Sequence, residues 1–204
     1  MEIIEPDKKL IEYIEIVNKL DCKKDIDLEH FLINQEWHYV QSDLEKNIFL
    51  LKRLNDYGIL PKEVNICDCG IGLGTVMFDL FLQSKSINDK KFTFTGIEKF
   101  RPYIDYVKLN LYEYWENNLE LIEGDIMEFD YSTWNFIFFY QPFSKSDKAM
   151  SFYNKVINEC ISGTLILGLD PYNIMTYGSN YRGLVDGFKR LKPFKIDDWY
   201  LFQK

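Results

Sequence analysis

Residues 68–74 read Asp-Cys-Gly-Ile-Gly-Leu-Gly, and this run lies between two segments of opposite periodicity. Ahead of it the segment EVNICDC (63–69) is apolar and β-rich, and behind it residues 75–84 repeat apolar side chains at helical spacing. A chain that passes from strand to helix in so few residues must reverse sharply, and glycine permits both the turn and the approach of a ligand to bare backbone. The first turn of the helix adds partial positive charge. A glycine triad alone is a weak signal, but one placed between strand and helix points to a βαβ unit with a ligand at the strand's carboxyl end.

The pattern then repeats. Further short apolar runs fall at 92–98, 119–125, 134–140 and 163–169, with helical patterns at 75–84, 101–115 and 146–160 between them. Alternation of this kind predicts parallel strands joined by helices, and near-continuous apolar strands predict a sheet covered on both faces. A helix near 182–191 leads into PFKIDDWYLFQK, two short strands around an Asp-Asp turn. Residues 1–60 are expected to form an N-terminal helical extension, a cap with possible substrate contacts, and residues 61–204 the core. Its third helix has the clearest signals: Ser42 and Glu45 fit a capping box, Leu44, Ile48, Leu51 and Leu54 share a face, and Gly58 is a stop.

A length of 204 residues suits one core, and 47% hydrophobic with 27% charged residues is a globular composition. The net charge of −8 is uneven: residues 171–204 hold six basic and three acidic residues, so Arg182, Lys189, Arg190, Lys192 and Lys195 are the one candidate basic patch. An acidic chain disfavours a large nucleic-acid footprint. Cys22, Cys67, Cys69 and Cys160 show no disulfide or zinc spacing, and Cys67 and Cys69 lack a second pair or a nearby histidine, so no metal site is expected. The start MEIIEPDKKL has no apolar signal core, and no apolar run approaches the ~20 residues of a membrane span, so a cytoplasmic protein without membrane partners is the expectation.

Glu98 closes the second strand pattern, where a carboxylate can accept hydrogen bonds from two ribose hydroxyls. With Glu98 in place, residues 62–204 resemble the class I S-adenosylmethionine-dependent methyltransferases. Gly70, Gly72 and Gly74 have the spacing of that family's first motif, and Asp68 is similar to the acid at the end of its first strand. The resemblance implies that Glu98 binds ribose, that Lys99 and Phe100 pack on adenine, and that Asp125 accepts from the adenine amine while the Ile126 amide reaches the ring. It also implies a Rossmann-like, mostly parallel seven-stranded sheet with helices on both faces and a C-terminal antiparallel strand.

Tyr140-Gln141-Pro142-Phe143 follows the fourth strand, and Tyr140 and Gln141 are the candidate catalytic residues, with Tyr140 also near the cofactor. This run only loosely resembles the Asn-Pro-Pro-Tyr element of amino-methylating enzymes, so no base or glutamine acceptor is read from it. His30 and His38 are the only histidines; Trp37 and Tyr39, beside His38, are slightly better candidates for substrate walls. The expected activity is methyl transfer from S-adenosylmethionine to a small-molecule or protein acceptor. Its alternatives are an RNA or DNA methyltransferase, an NAD-dependent oxidoreductase, and a cofactor-binding interaction module without transfer activity. Glycine spacing and the terminal hairpin disfavour the oxidoreductase, because the dinucleotide fingerprint spaces its last two glycines by three.

Overall fold

The computed structural model describes residues 50–110, 112–115, 118–140, 142–143, 146–196 and 199–204. Helix α1 (Leu50–Asp56) is followed by β1 (Glu63–Cys69), α2 (Thr75–Ser84), β2 (Lys91–Glu98), α3 (Arg101–Asn110) and β3 (Leu119–Glu123). After these come β4 (Phe136–Phe138), α4 (Ser146–Glu159), β5 (Leu165–Leu167), α5 (Pro171–Tyr177), α6 (Leu184–Lys189), β6 (Lys192–Ile196) and β7 (Trp199–Gln203). The strands form one sheet in the order β3-β2-β1-β4-β5-β7-β6. β1 to β5 are parallel, and β7 runs antiparallel to both β5 and β6.

The apolar strand runs are explained by strict alternation. Ile66, Phe136, Phe138, Leu165 and Leu167 join Leu51, Leu54, Phe78, Phe81 and Trp115 in a core on one face. Their neighbours Cys67, Cys69, Ile137, Phe139 and Ile166 join Phe152, Val156 and Leu184 on the other. β1, β4 and β5 therefore each feed two cores at a period of two, which leaves no polar face to mark them. Cys67 and Cys69 are both buried on the second face with Sγ atoms 3.7 Å apart, packing as small apolar groups. No group of three or more His, Cys, Asp or Glu able to hold a metal occurs among the described residues.

Two expectations need correction, and one helix is additional. The helix expected over 101–115 stops at Asn110 and resumes as a 3-10 turn at Tyr112–Trp115, which sets Trp115, fully buried, against the Phe78, Phe81 and Phe94 rings. β4 and β5 are three residues each, shorter than their apolar runs, because those runs continue into buried loop at Phe139 and Leu169. The helix expected near 182–191 is α6, and α5 ahead of it is not among the expected helices, although its start is written plainly in the sequence: Asp170 caps the Asn173 amide at 3.0 Å and Pro171 occupies the first turn.

α1 coincides with the end of the expected third helix, and Gly58 at φ 66° closes it, with its amide bonded to the Asn55 carbonyl. The capping box and the rest of residues 1–49 lie outside the described residues. α1 is tied to α2 through a side chain: the Leu51 amide donates to Gln83 Oε1 at 2.9 Å, and Gln83 Nε2 donates to Asp79 Oδ2 at 2.8 Å. Burial pushes the Asp79 carboxyl up to about 7 against the opposing effect of the Gln83 bond. A folded-state value above the unfolded one means that the folded protein holds this proton longer, so stability is full at low pH and falls between about pH 4 and pH 7. Asp79→Asn, which keeps an oxygen for Gln83, should therefore raise stability by ~2–4 kcal/mol near pH 8 and change it little near pH 4.5, as urea denaturation at the two values would read.

Candidate functional site

Parallel pairing brings the carboxyl ends of β1, β2, β3 and β4 to one edge. Asp68 is level with Gly96 on one side and Phe138 on the other, and Glu98 is level with Glu123. Asp68 is the penultimate residue of β1, since the strand continues to Cys69, and it is buried. Burial, and then the negative charge of Glu98, keep the Asp68 carboxyl protonated well above its usual range.

The glycine run forms the tight turn that its sequence predicts. Gly70, Gly72 and Gly74 have φ of 88°, 53° and 75°, the left-handed region that glycine enters without a Cβ clash. The amides of Gly70 and Ile71 both donate to the Ile97 carbonyl, at 2.8 and 3.0 Å, and fasten the loop to the end of β2. Ile71 lies across Gly96, where any Cβ would collide with the isoleucine side chain and meet Leu121 Cδ2 at 3.1 Å. Gly96 was not singled out in the sequence. An isolated glycine inside the run FTFTGIE is nevertheless the ordinary sign of close backbone approach.

Glu98 is the hub of this edge. Its Oε2 accepts the Gly72 amide at 3.0 Å, and its Oε1 accepts the amides of Lys99 and Phe100, each at 2.8 Å. One carboxylate thereby orders the glycine loop and the turn into α3 together. Phe100 stands edge-on to Tyr103 with ring centroids 5.1 Å apart. The Lys99 ammonium lies 3.2 Å from Asp125 Oδ2, so Lys99 bridges the ends of β2 and β3.

Asp125 lies in the turn after β3, which is tied back by the Gly124 amide on the Glu98 carbonyl at 2.9 Å. Partial burial opposes ionisation of Asp125. The Met127 amide, 2.9 Å from Oδ1, and the charges of Lys99 and Lys148 outweigh it and hold the carboxyl below its ordinary value. Lys148 also stands 4.6 Å over the Phe143 ring, so it links the β3 turn to the loop after β4. Ile126 is buried beneath this turn.

Tyr140 is half-buried at the carboxyl end of β4, and Gln141 lies outside the described residues. Pro142 approaches the glycine loop: a Cβ at Gly70 would stand 3.9 Å from its own. The structure thus gathers Asp68, Gly70, Gly72, Gly74, Glu98, Lys99, Phe100, Asp125, Ile126 and Tyr140 along one edge of the sheet. Trp37, His38 and Tyr39 lie outside the described residues.

The candidate basic patch divides. Leu165 at the start of β5 and Lys192 at the start of β6 both pair with Gln203, so Lys192 and the preceding Lys189 and Arg190 belong to the amino edge, away from the site. Arg182 adjoins Tyr181, whose hydroxyl bonds to Asp147 in the first turn of α4, and Lys195 lies further along β6, level with Tyr200, so neither shares that edge.

No protein-family model matches the sequence, and no curated protein matches it. Solved structures do match in shape. A protein from Listeria monocytogenes described as a class I S-adenosylmethionine-dependent methyltransferase is similar with a TM-score of 0.64 at 14% identity, over 96% of this chain and 68% of that one. A protein from Pyrococcus horikoshii described as an RNA methyltransferase gives 0.60 at 16% identity over 96% of both chains. A protein from Escherichia coli described as a methyltransferase gives 0.55 at 16% identity over 82% of this chain and 88% of its own. At such identities the likeness is one of architecture, and it agrees with the strand order and the single reversed strand seen here. The chain has the Rossmann-like fold of the class I S-adenosylmethionine-dependent methyltransferases.

Proposed function

We propose that this chain is an S-adenosylmethionine-dependent methyltransferase acting on a small-molecule or protein acceptor. The observation that carries the proposal is the Glu98 carboxylate held against the Gly72 amide at 3.0 Å. In a dinucleotide site, amides at the centre of the glycine turn face a pyrophosphate. Here a carboxylate already faces that position, which repels phosphate, whereas ribose hydroxyls can donate to it. Asp125, one strand further along, supplies an acceptor for an adenine amine. The spacing of two acids on adjacent strand ends, beside a backbone turn without a Cβ at three positions, fits an adenosine without a pyrophosphate.

When bound, S-adenosylmethionine supplies a methyl group already activated on a sulfonium. What is asked of the protein is alignment of the nucleophile in a water-poor pocket, with a base only where the acceptor stays protonated. Tyr140, at the carboxyl end of β4, and Gln141, next to it in sequence, are the residues proposed to line the acceptor side, with the buried Phe143 excluding water. Residues 1–60 are proposed to cap the site. The division of the basic residues between two places in the fold favours a small-molecule or protein acceptor over an extended nucleic-acid track, because phosphate tracking needs contiguous positive charge.

Calorimetric titration tests the reading. S-adenosylhomocysteine is expected to bind at least ~100-fold more tightly than NAD, a difference of ~2.7 kcal/mol. Tight binding of NAD with no response to S-adenosylhomocysteine would replace the methyltransferase reading with an oxidoreductase.

A further inference from the structure

Tyr131, five residues beyond Ile126, lies in a short 3-10 turn (Tyr131–Thr133) and has no exposed surface. Its ring is clamped between Phe152, at 5.7 Å and edge-on, and Trp134, at 5.9 Å. From this fixed position its hydroxyl donates to the Ile126 carbonyl at 2.7 Å. Burial, then the Cys69 thiol beside it, push the hydroxyl's pKa far up, so the donor proton is retained throughout the working range.

The Ile126 carbonyl belongs to the same planar peptide unit as the Met127 amide. That amide is the one that donates to Asp125 Oδ1 at 2.9 Å. The peptide is thus held at both ends: its oxygen by a phenol anchored in the core, its N–H by the carboxylate. Rotation about the neighbouring bonds would break both contacts at once, and a buried carbonyl that loses its donor is costly to leave unpaired. We infer that Tyr131 is a positioning residue that fixes the orientation of the Asp125 carboxylate through the Ile126–Met127 peptide, and so sets selectivity for a 6-amino purine at this site. The inference rests on the reading of Asp125 as the acceptor for the adenine amine.

The test compares S-adenosylhomocysteine with its analogue lacking the 6-amino group, by calorimetry on wild-type protein, Tyr131→Phe, Trp134→Phe and Asp125→Ala. Wild type should prefer the amino compound by about tenfold or more, the value of one hydrogen bond to a charged group. Tyr131→Phe removes one oxygen and keeps the ring, and it should bring the preference to within about threefold of unity while changing affinity for the analogue little. Trp134→Phe disturbs the same aromatic cluster without touching the hydroxyl and should keep the wild-type preference. In Asp125→Ala the preference should be gone, with no further effect from adding Tyr131→Phe. Equal weakening of both ligands by Tyr131→Phe, or an unchanged preference, overturns the inference. A wild type that binds both compounds alike removes the adenine reading of Asp125 itself, and the positioning role with it. Amide exchange on the wild type provides a check that needs no variant: the Met127 amide should exchange at least ~10-fold more slowly than an open-loop amide, and exchange at the open-loop rate also overturns the inference.

Discussion

Gly168→Ala is expected to lower stability by ~3 kcal/mol or more, enough to move the thermal midpoint down by roughly 6–12 °C in a domain of this size. Two separate penalties combine. Gly168 follows β5 with φ of 124°, a region closed to residues bearing a Cβ. A Cβ there would also fall on the Phe139 carbonyl and meet the Phe139 ring at 2.7 Å, and the clash with backbone has no flexible side chain to absorb it. The Phe139 amide bonds to the Leu167 carbonyl at 3.0 Å, so β4 and β5 would have to separate where they deliver Tyr140 to the site edge. Gly163→Ala separates the two effects, because Gly163 also has positive φ, 92°, but a Cβ there would meet nothing within 4 Å. That variant should cost only ~1 kcal/mol, the strain alone. Denaturation curves for the pair decide the matter, and equal losses would mean that the β4–β5 contact gives way easily.

Neither glycine in that comparison could be ranked from the sequence, and the reason is general. Periodicity reports which faces are buried, and it fixed β1 and β2 closely because their apolar runs end at Gly70 and at the charged turn after Glu98. It overran at β4 and β5, where buried loop is as apolar as strand. The site edge was legible for a different reason. Parallel strands with helical crossovers bring all their carboxyl ends together, so Asp68, Glu98, Asp125 and Tyr140 had to converge once the alternation was recognised. Individual tertiary contacts carry little local signal. Tyr131 reaches Ile126 through the core, Gly96 is crossed by Ile71, and Lys148 joins Phe143 and Asp125 from α4. Tyr131 and Lys148 look ordinary in their own windows, and Gly96 signals a close approach without saying what approaches. The basic C-terminal segment shows the complementary effect: Lys189, Arg190 and Lys192 stay together at the amino edge, but nothing in the sequence says that α6 carries Arg182 away from them.

The same long-range logic enlarges the effect expected at Glu98. Counted from the sequence, Glu98→Ala removes an acceptor for ribose and should weaken the cofactor by ~1.5–3 kcal/mol. In the structure the carboxylate also holds the amides of Gly72, Lys99 and Phe100, so its loss releases the glycine turn and the start of α3 together. Binding of S-adenosylhomocysteine should then fall by at least ~100-fold, the upper end of that range or beyond, because the turn must be reordered when ligand binds. Glu98→Gln distinguishes charge from geometry. One amide oxygen can still accept from Lys99 and Phe100, but the NH2 group then faces the Gly72 N–H, donor against donor, and the turn is pushed away. A loss for Glu98→Gln close to that of Glu98→Ala is therefore expected, although the two side chains have nearly the same shape. Circular dichroism and thermal unfolding should show both variants folded, with modestly lower midpoints. If Glu98→Gln binds like wild type while remaining folded, the Gly72 contact does not organise the cofactor site, and the main support for methyltransferase chemistry in this chain is gone.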